Sequence, residues 1–202
     1  IGLYRFNGSE DPQQASLMYS SDNGETWQRT ENITTGGWSS ENEIVELEDG
    51  TLRMFYRNNN RKLSYADVYK DDTTGEYTMG SEVKVTSVGV HSDCNLSVLS
   101  YSQKIDGKQL IFVSCPTSGR AAGKIFAFLV DDTLEGNPLN LYHTYVVPGG
   151  ESGFAYSCLT ELNDGSIGML WEPNHSTMYF DTFDIYELLP EGVEFPNASM
   201  NV

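Results

Sequence analysis

Three times along the chain an Asp-Gly pair interrupts two apolar-rich runs: IVELEDGTLRMFYR at 44–57, VLSYSQKIDGKQLIFVSC at 98–115 and LTELNDGSIGMLWE at 159–172. Asp-Gly tolerates the positive φ that tight hairpin turns demand, so each run reads as a β-hairpin. The turns Asp49-Gly50, Asp106-Gly107 and Asp164-Gly165 recur about every 57 residues. Each interval has room for further strands, and KLSYADVY, EVKVTSV, KIFAFLV and LYHTYVVP are the candidates. Helical periodicity is nearly absent. The expected class is therefore all-β, with four-stranded sheets repeated as blades of a β-propeller. About three to four blades fit into 202 residues. That is too few to close a ring, and an open ring exposes unpaired strand edges. The remaining blades are expected upstream, on a separate chain or outside this sequence.

Ahead of the first hairpin stands SSDNGETW at 20–27, that is Ser-x-Asp-x-Gly-x-Thr-Trp. Asp22-Asn23-Gly24 is itself a hairpin signal, LMYS and TWQR suit strand partners on either side, and Trp27 is too large to leave bare without reason. The expectation is an outer hairpin of the preceding blade with Trp27 packed. YKDDTTGEYTMG at 69–80 is a degraded copy.

Acidic side chains number 29 against 12 basic ones, a formal charge of −17. Without a basic stripe there is nothing to release counterions from phosphates, which argues against nucleic acid and against an anionic membrane surface. No apolar run approaches the roughly 18 residues of a membrane span. An anionic ligand could be held only by a few locally clustered cations. Cys94, Cys115 and Cys158 are odd in number and lack C-x-x-C spacing, and His91, His143 and His175 are scattered. Buried free thiols are expected, with no metal site and no cofactor.

Taken with the hairpins, Ser20-x-Asp22-x-Gly24-x-Thr26-Trp27 resembles the Asp-box of bacterial sialidases (neuraminidases), a structural hairpin in that family. Three further stretches carry the likeness. ENEIVELEDGTLRMFYRN resembles the sialidase segment in which a glutamate opens one strand of a hairpin and an arginine ends the next, here Glu41 and Arg57, sixteen residues apart. SCPTSGRAAG resembles the loop that brings a further arginine, Arg120, although SCP departs from the asparagine-containing sequence common there. SGFAYSCLTELNDGSIGMLWE resembles the tyrosine segment, with Tyr156 as its tyrosine and Trp171 where a tyrosine is common.

The resemblance covers residues 1–188, leaves 189–202 as a C-terminal tail, and implies the C-terminal half of a six-bladed catalytic propeller. It implies that Tyr156 is the nucleophile, that Glu41 is its base, and that Arg57 and Arg120 bind substrate. It also implies a secreted or cell-surface glycoside hydrolase acting on sialylated glycans, with no cofactor and no membrane insertion. An N-terminal half would supply a third arginine and an aspartate acid/base. Arg5 and Arg29 lack the family's surroundings, and Asp11 and Asp22 sit in turn sequence, so none of them is assigned those roles. Arg53 and Arg61 are expected at the surface, and Glu43 and Glu46 as solvated strand-end charges.

The implied chemistry is physically coherent. Sialic acid carries a carboxylate on its anomeric carbon, so a carboxylate nucleophile would approach like charge, whereas a phenol is neutral until attack; sialidases depart from the two-carboxylate scheme of glycosidases. A phenol with a pKa of about 10 needs a base beside it, and the guanidinium fork suits a sugar carboxylate. The expected activity is exo-α-sialidase hydrolysis with retention, through a tyrosine-linked intermediate. Two alternatives stand beside it. One is an intramolecular or trans-sialidase using the same residues; the other is a non-catalytic Asp-box propeller that binds glycans.

Overall fold

The computed structural model describes residues 1–5, 13–33, 37–89, 94–131, 133–134 and 139–195. Asp11, His91 and positions 196–202 of the expected tail lie outside the described residues.

Four antiparallel sheets follow one another along the chain. The first holds β1 (Gly2–Arg5), β2 (Gln14–Tyr19) and β3 (Gln28–Arg29). The second holds β4 (Ser39–Glu46), β5 (Leu52–Asn58), β6 (Ser64–Lys70) and β7 (Tyr77–Met79), and β6 also pairs with β8 (Val83–Lys84). The third is β9 (Ser97–Ile105), β10 (Lys108–Ser118), β11 (Ala121–Val130) and β12 (Leu139–Val146). The fourth is β13 (Ser157–Glu161), β14 (Ile167–Asn174) and β15 (Thr177–Phe183), followed by a short 3₁₀ turn at Ile185–Leu188. EVKVTSV contributes only the two residues of β8, because the outer edge of that sheet starts earlier, at Tyr77, and is split between β7 and β8.

All three Asp-Gly pairs turn the first hairpin of their sheets. Gly50 and Gly165 take φ +83° and donate to the carbonyls of Leu47 and Leu162, both at 2.9 Å. Asp49 and Asp164 then accept the N–H of the residue two further on, Thr51 and Ser166. Asp106-Gly107 is tighter, with both residues left-handed at φ +50° and +76°, the backbone that Asp-Gly accepts most readily.

An apolar core fills each gap between successive sheets. β10 shows how period-2 alternation serves two cores at once. Ile111 and Val113, with Val98 of β9 beside them, face Phe55 of the second sheet, while Leu110 and Phe112 face the fourth with Phe154 and Trp171. β5 does the same, sending Met54 and Tyr56 toward Leu17 of the first sheet and Phe55 the other way. Sheets stacked face to face in sequence order are the blade arrangement of a propeller. β15 is paired on one side only among the described residues, and Met178, Tyr179 and Phe180 are exposed along it.

SSDNGETW joins β2 to β3 as an outer hairpin loop. Asp22 accepts from the Thr26 N–H at 2.9 Å and from its hydroxyl, Ser20 Oγ accepts from the Gly24 N–H at 2.7 Å, and Asn23 and Gly24 are left-handed. The two Thr26 bonds, with one that Ser20 Oγ donates to Asp22 Oδ1 at 2.8 Å, hold the Asp22 carboxyl down at about 2. Trp27 departs from expectation: it is 48% exposed. Its indole folds over its own loop, donating to the Gly24 carbonyl at 3.1 Å, so one face is covered by the turn and the other meets water. The 69–80 copy repeats the pattern, with Asp71 accepting from Thr73 and Thr74 N–H groups. Cys94 and Cys115 are buried, but Cys158 is exposed, because it falls on the outward alternate of β13 between buried Ser157 and Leu159.

Candidate active site

In the second, third and fourth sheets the first strand runs toward its Asp-Gly turn and the second runs back, so the start of one and the end of the other share an edge. Glu41 lies near the start of β4 and Arg57 near the end of β5. Arg120 occupies the turn between β10 and β11, and Tyr156 immediately precedes β13. All four therefore lie on the edge opposite the Asp-Gly turns. The SSDNGETW and 71–76 loops lie near one another, where Tyr19 and Tyr77 meet with ring centroids 4.6 Å apart.

The Tyr156 hydroxyl donates to Glu41 Oε1 at 3.1 Å, and Arg57 Nη1 donates to Glu41 Oε2 at 2.8 Å and to the Tyr156 oxygen at 3.3 Å. Glu41 and Arg57 face each other where the β4–β5 register shifts between Ser39 and Asn42, an irregularity of the kind that re-aims side chains. Arg120 completes the group, its guanidinium carbon 5.2 Å from the centre of the Tyr156 ring. Burial, and then the Glu41 charge and hydrogen bond, push the Tyr156 phenol above its ordinary range, while Arg57 pulls the other way. A neutral phenol thus sits beside a carboxylate able to take its proton and two guanidinium groups able to hold an anion.

The loops are tied together. The Phe154 N–H donates to the Arg120 carbonyl at 2.8 Å, which fastens the arginine turn to the tyrosine segment. Phe154 stacks on Trp171 with centroids 5.2 Å apart, and Trp171 Nε1 donates to Asp181 at 2.6 Å. The indole at 171 is thus a buried platform for the tyrosine segment. Gly123 leaves room for it: a Cβ there would stand 2.3 Å from the Phe154 ring.

Two neighbours escaped the sequence reading. Trp38 lies beside the Arg57 guanidinium, 5.7 Å from ring centre to Cζ. Its only signal is an aromatic three residues ahead of Glu41. Cys94 is buried close enough for Arg120 and Arg57 to act on its thiol, although burial dominates and pushes it up. Nothing local in the sequence marks it.

Two expected surface charges are corrected. Arg53 is 2% exposed and forms a bidentate pair with Asp67, at 2.7 and 2.9 Å, while stacking over Tyr65. The β5–β6 register sets Arg53 directly opposite Asp67, and that partner is what permits burial. Glu43 is not a solvated strand-end charge either, since it bonds Ser97 and Val98 across to β9. Arg61 and Glu46 are exposed. Among the described residues no group of three or more His, Cys, Asp and Glu side chains could hold a metal ion.

No protein-family model matches the chain. It is 37% identical over 172 residues to an anhydrosialidase of Macrobdella decora, covering 81% of this chain and 22% of that protein. It is 35% identical over 185 residues to a sialidase of Paraclostridium sordellii, covering 85% of this chain and 43% of that one. The solved intramolecular trans-sialidase from Ruminococcus gnavus, in complex with oseltamivir carboxylate, matches with TM-score 0.71 and 31% identity over 88% of this chain and 39% of its own. The chain belongs to the sialidase family. It spans less than half the length of each of these sialidase relatives. Its four sheets are consecutive blades of the sialidase β-propeller fold.

Proposed function

We propose that this chain is the part of an exo-α-sialidase propeller that carries the nucleophile Tyr156, its base Glu41, and the substrate-binding arginines Arg57 and Arg120. The observation that supports this reading is the three-way contact among the Tyr156 phenol, the Glu41 carboxylate and Arg57. A scaffold that only binds glycans has no use for a semi-buried phenol whose proton is aimed at a carboxylate, so the non-catalytic alternative is disfavoured.

In the proposed reaction Arg57 and Arg120 hold the sialic acid carboxylate. The Tyr156 oxygen attacks the anomeric carbon as its proton passes to Glu41, and the bond to the aglycone oxygen breaks. An acid from the rest of the complete protein protonates that leaving oxygen. Water, giving a proton to that now deprotonated acid, then attacks the anomeric carbon of the tyrosyl glycoside, and Glu41 returns its proton to the departing phenol, so two inversions give net retention. The partner is the N-terminal half of the same catalytic domain, which would also bring a third arginine and close the six-bladed ring. Substrates are terminal sialosides of glycoconjugates, which places the complete protein outside the cell or at its surface. Among the described residues no helix is long and apolar enough to cross a membrane.

Intramolecular transfer is the second reading. It is favoured by the similarity, at 37% and 31% identity, to proteins described as an anhydrosialidase and an intramolecular trans-sialidase. There an internal hydroxyl of the bound sugar replaces water in the second step, and the product is lighter by one water. The test is to quench the complete protein with a slowly turned-over fluorinated sialoside and digest it. Sugar on the peptide containing Tyr156 supports the reading; an unlabelled peptide beside measurable turnover overturns it. The mass of the released sugar separates hydrolysis from internal transfer.

A further inference from the structure

Glu43 is a half-buried carboxylate that the proposed reaction does not use. It follows Glu41 by two residues on β4, just past the register shift, and lies opposite Phe55 of β5. Its Oε2 accepts two hydrogen bonds from β9, from Ser97 Oγ at 3.0 Å and from the Val98 N–H at 2.5 Å. Ser97 is wholly buried. Because its hydroxyl proton points to Glu43, its lone pairs point away, and there the Leu159 N–H of β13 donates at 2.9 Å. A directed chain results, Leu159 N–H to Ser97 O–H to the Glu43 carboxylate.

β4, β9 and β13 are the first strands of three different sheets, so no backbone ladder joins them. The chain's two ends lie on the segments that carry the phenol and its base: Glu41 is two residues before Glu43, and Tyr156 is three before Leu159. We infer that the Glu43–Ser97 relay is a positioning device that fixes the separation between the Tyr156 phenol and Glu41. Glu43 is thus a positioning residue, and Ser97 couples it to the tyrosine strand. The desolvated surroundings agree with a specific role. Burial pushes the Glu43 carboxyl up, while the Val98 and Ser97 hydrogen bonds pull the other way. Where packing alone is required, an apolar side chain avoids that cost.

The effect on turnover rests on the functional reading above, whereas the effect on geometry does not, and the experiment separates them. Glu43→Leu, Ser97→Ala and Glu43→Gln are made in the complete protein, with Tyr156→Phe alongside as the test of the functional reading. The ¹³Cζ resonance of Tyr156, assigned by its loss in Tyr156→Phe, reports the phenol's hydrogen bond whether or not the protein turns over. Glu43→Leu and Ser97→Ala are expected to move that resonance toward its position in Glu41→Ala. They should also lower kcat about 10- to 100-fold with KM held within about twofold. Glu43→Gln keeps a carbonyl oxygen for Ser97 and Val98 and should stay near wild type in both readouts. An unmoved resonance and unchanged kcat in Glu43→Leu overturn the inference, and so does a Glu43→Gln variant as impaired as Glu43→Leu. Should Ser97→Ala fail to fold, the Leu and Gln variants at 43 still decide it.

Discussion

The Tyr156 hydroxyl donates to Glu41 Oε1 at 3.1 Å across 115 residues of sequence, and Arg57 touches both partners. That contact joins the fourth sheet to the second, past the whole of the third. It sets a phenol against a carboxylate, with a guanidinium group touching both.

Removing the phenol oxygen separates chemistry from binding. In the complete protein Tyr156→Phe should lower kcat on natural sialosides by more than about 10³-fold. Inhibitor affinity should be nearly unchanged. Glu41→Gln should cost about 10²–10⁴-fold in kcat, because an amide cannot accept the phenolic proton. Single-turnover rates check both, and wild-type turnover in Tyr156→Phe would remove tyrosine from the mechanism.

Arg57→Ala should act on binding first. It removes charge-assisted hydrogen bonds of about 1.5–3 kcal/mol from a bound carboxylate, or roughly 10- to 100-fold in affinity. Titration calorimetry with a carboxylate-bearing inhibitor measures it. Equal loss in Tyr156→Phe would contradict the separation of roles.

The Tyr156 pKa should respond to its neighbours with opposite signs. After burial, the Glu41 charge and hydrogen bond raise it while Arg57 lowers it. Glu41→Gln should therefore bring the phenol down toward its ordinary value, and Arg57→Ala should move it further up. Titration of the Tyr156 ¹³Cζ resonance reads both shifts, and a rise in Glu41→Gln would contradict the causes given.

At the SSDNGETW loop the prediction concerns acid. Asp22 is held down at about 2 by Thr26 and Ser20. A depressed carboxylate contributes its stabilisation above the unfolded value and loses it as pH falls through the folded one, so the window runs from about 4 down to 2. Trp27 emission, taken as the difference from Trp27→Phe, should hold to about pH 3 and then shift red. Asp22→Ala should show the shifted spectrum already at neutral pH. A wild-type transition centred on the ordinary carboxylate value would mean the loop bonds do not form.

Gly123→Ala should couple stability to the arginine turn. The new Cβ would overlap the Phe154 ring, whose backbone anchors Arg120. Overpacking of this kind costs about 1–3 kcal/mol, and a domain of this size loses about 2–4 °C in Tm for each kcal/mol. Thermal unfolding gives the first effect, and a raised KM through Arg120 the second. An unchanged Tm would show that Phe154 can move freely.

The sequence by itself determined where the chain turns and which apolar-rich runs flank those turns as strands. Asp49-Gly50, Asp106-Gly107 and Asp164-Gly165 are legible because a turn is a local demand on φ, satisfied within a few residues. β5 and β10 are legible because alternate side chains serve opposite cores, which leaves near-continuous apolar runs. The resemblance also pointed to Glu41, Arg57, Arg120 and Tyr156. Only the tertiary structure decided what each polar side chain meets. Trp27 lies over its own loop, Arg53 is buried because register sets Asp67 opposite, and Glu43 reaches Ser97 in the next sheet. Partners 54 or 115 residues away leave no periodicity to read, because stacking of whole sheets brings them together.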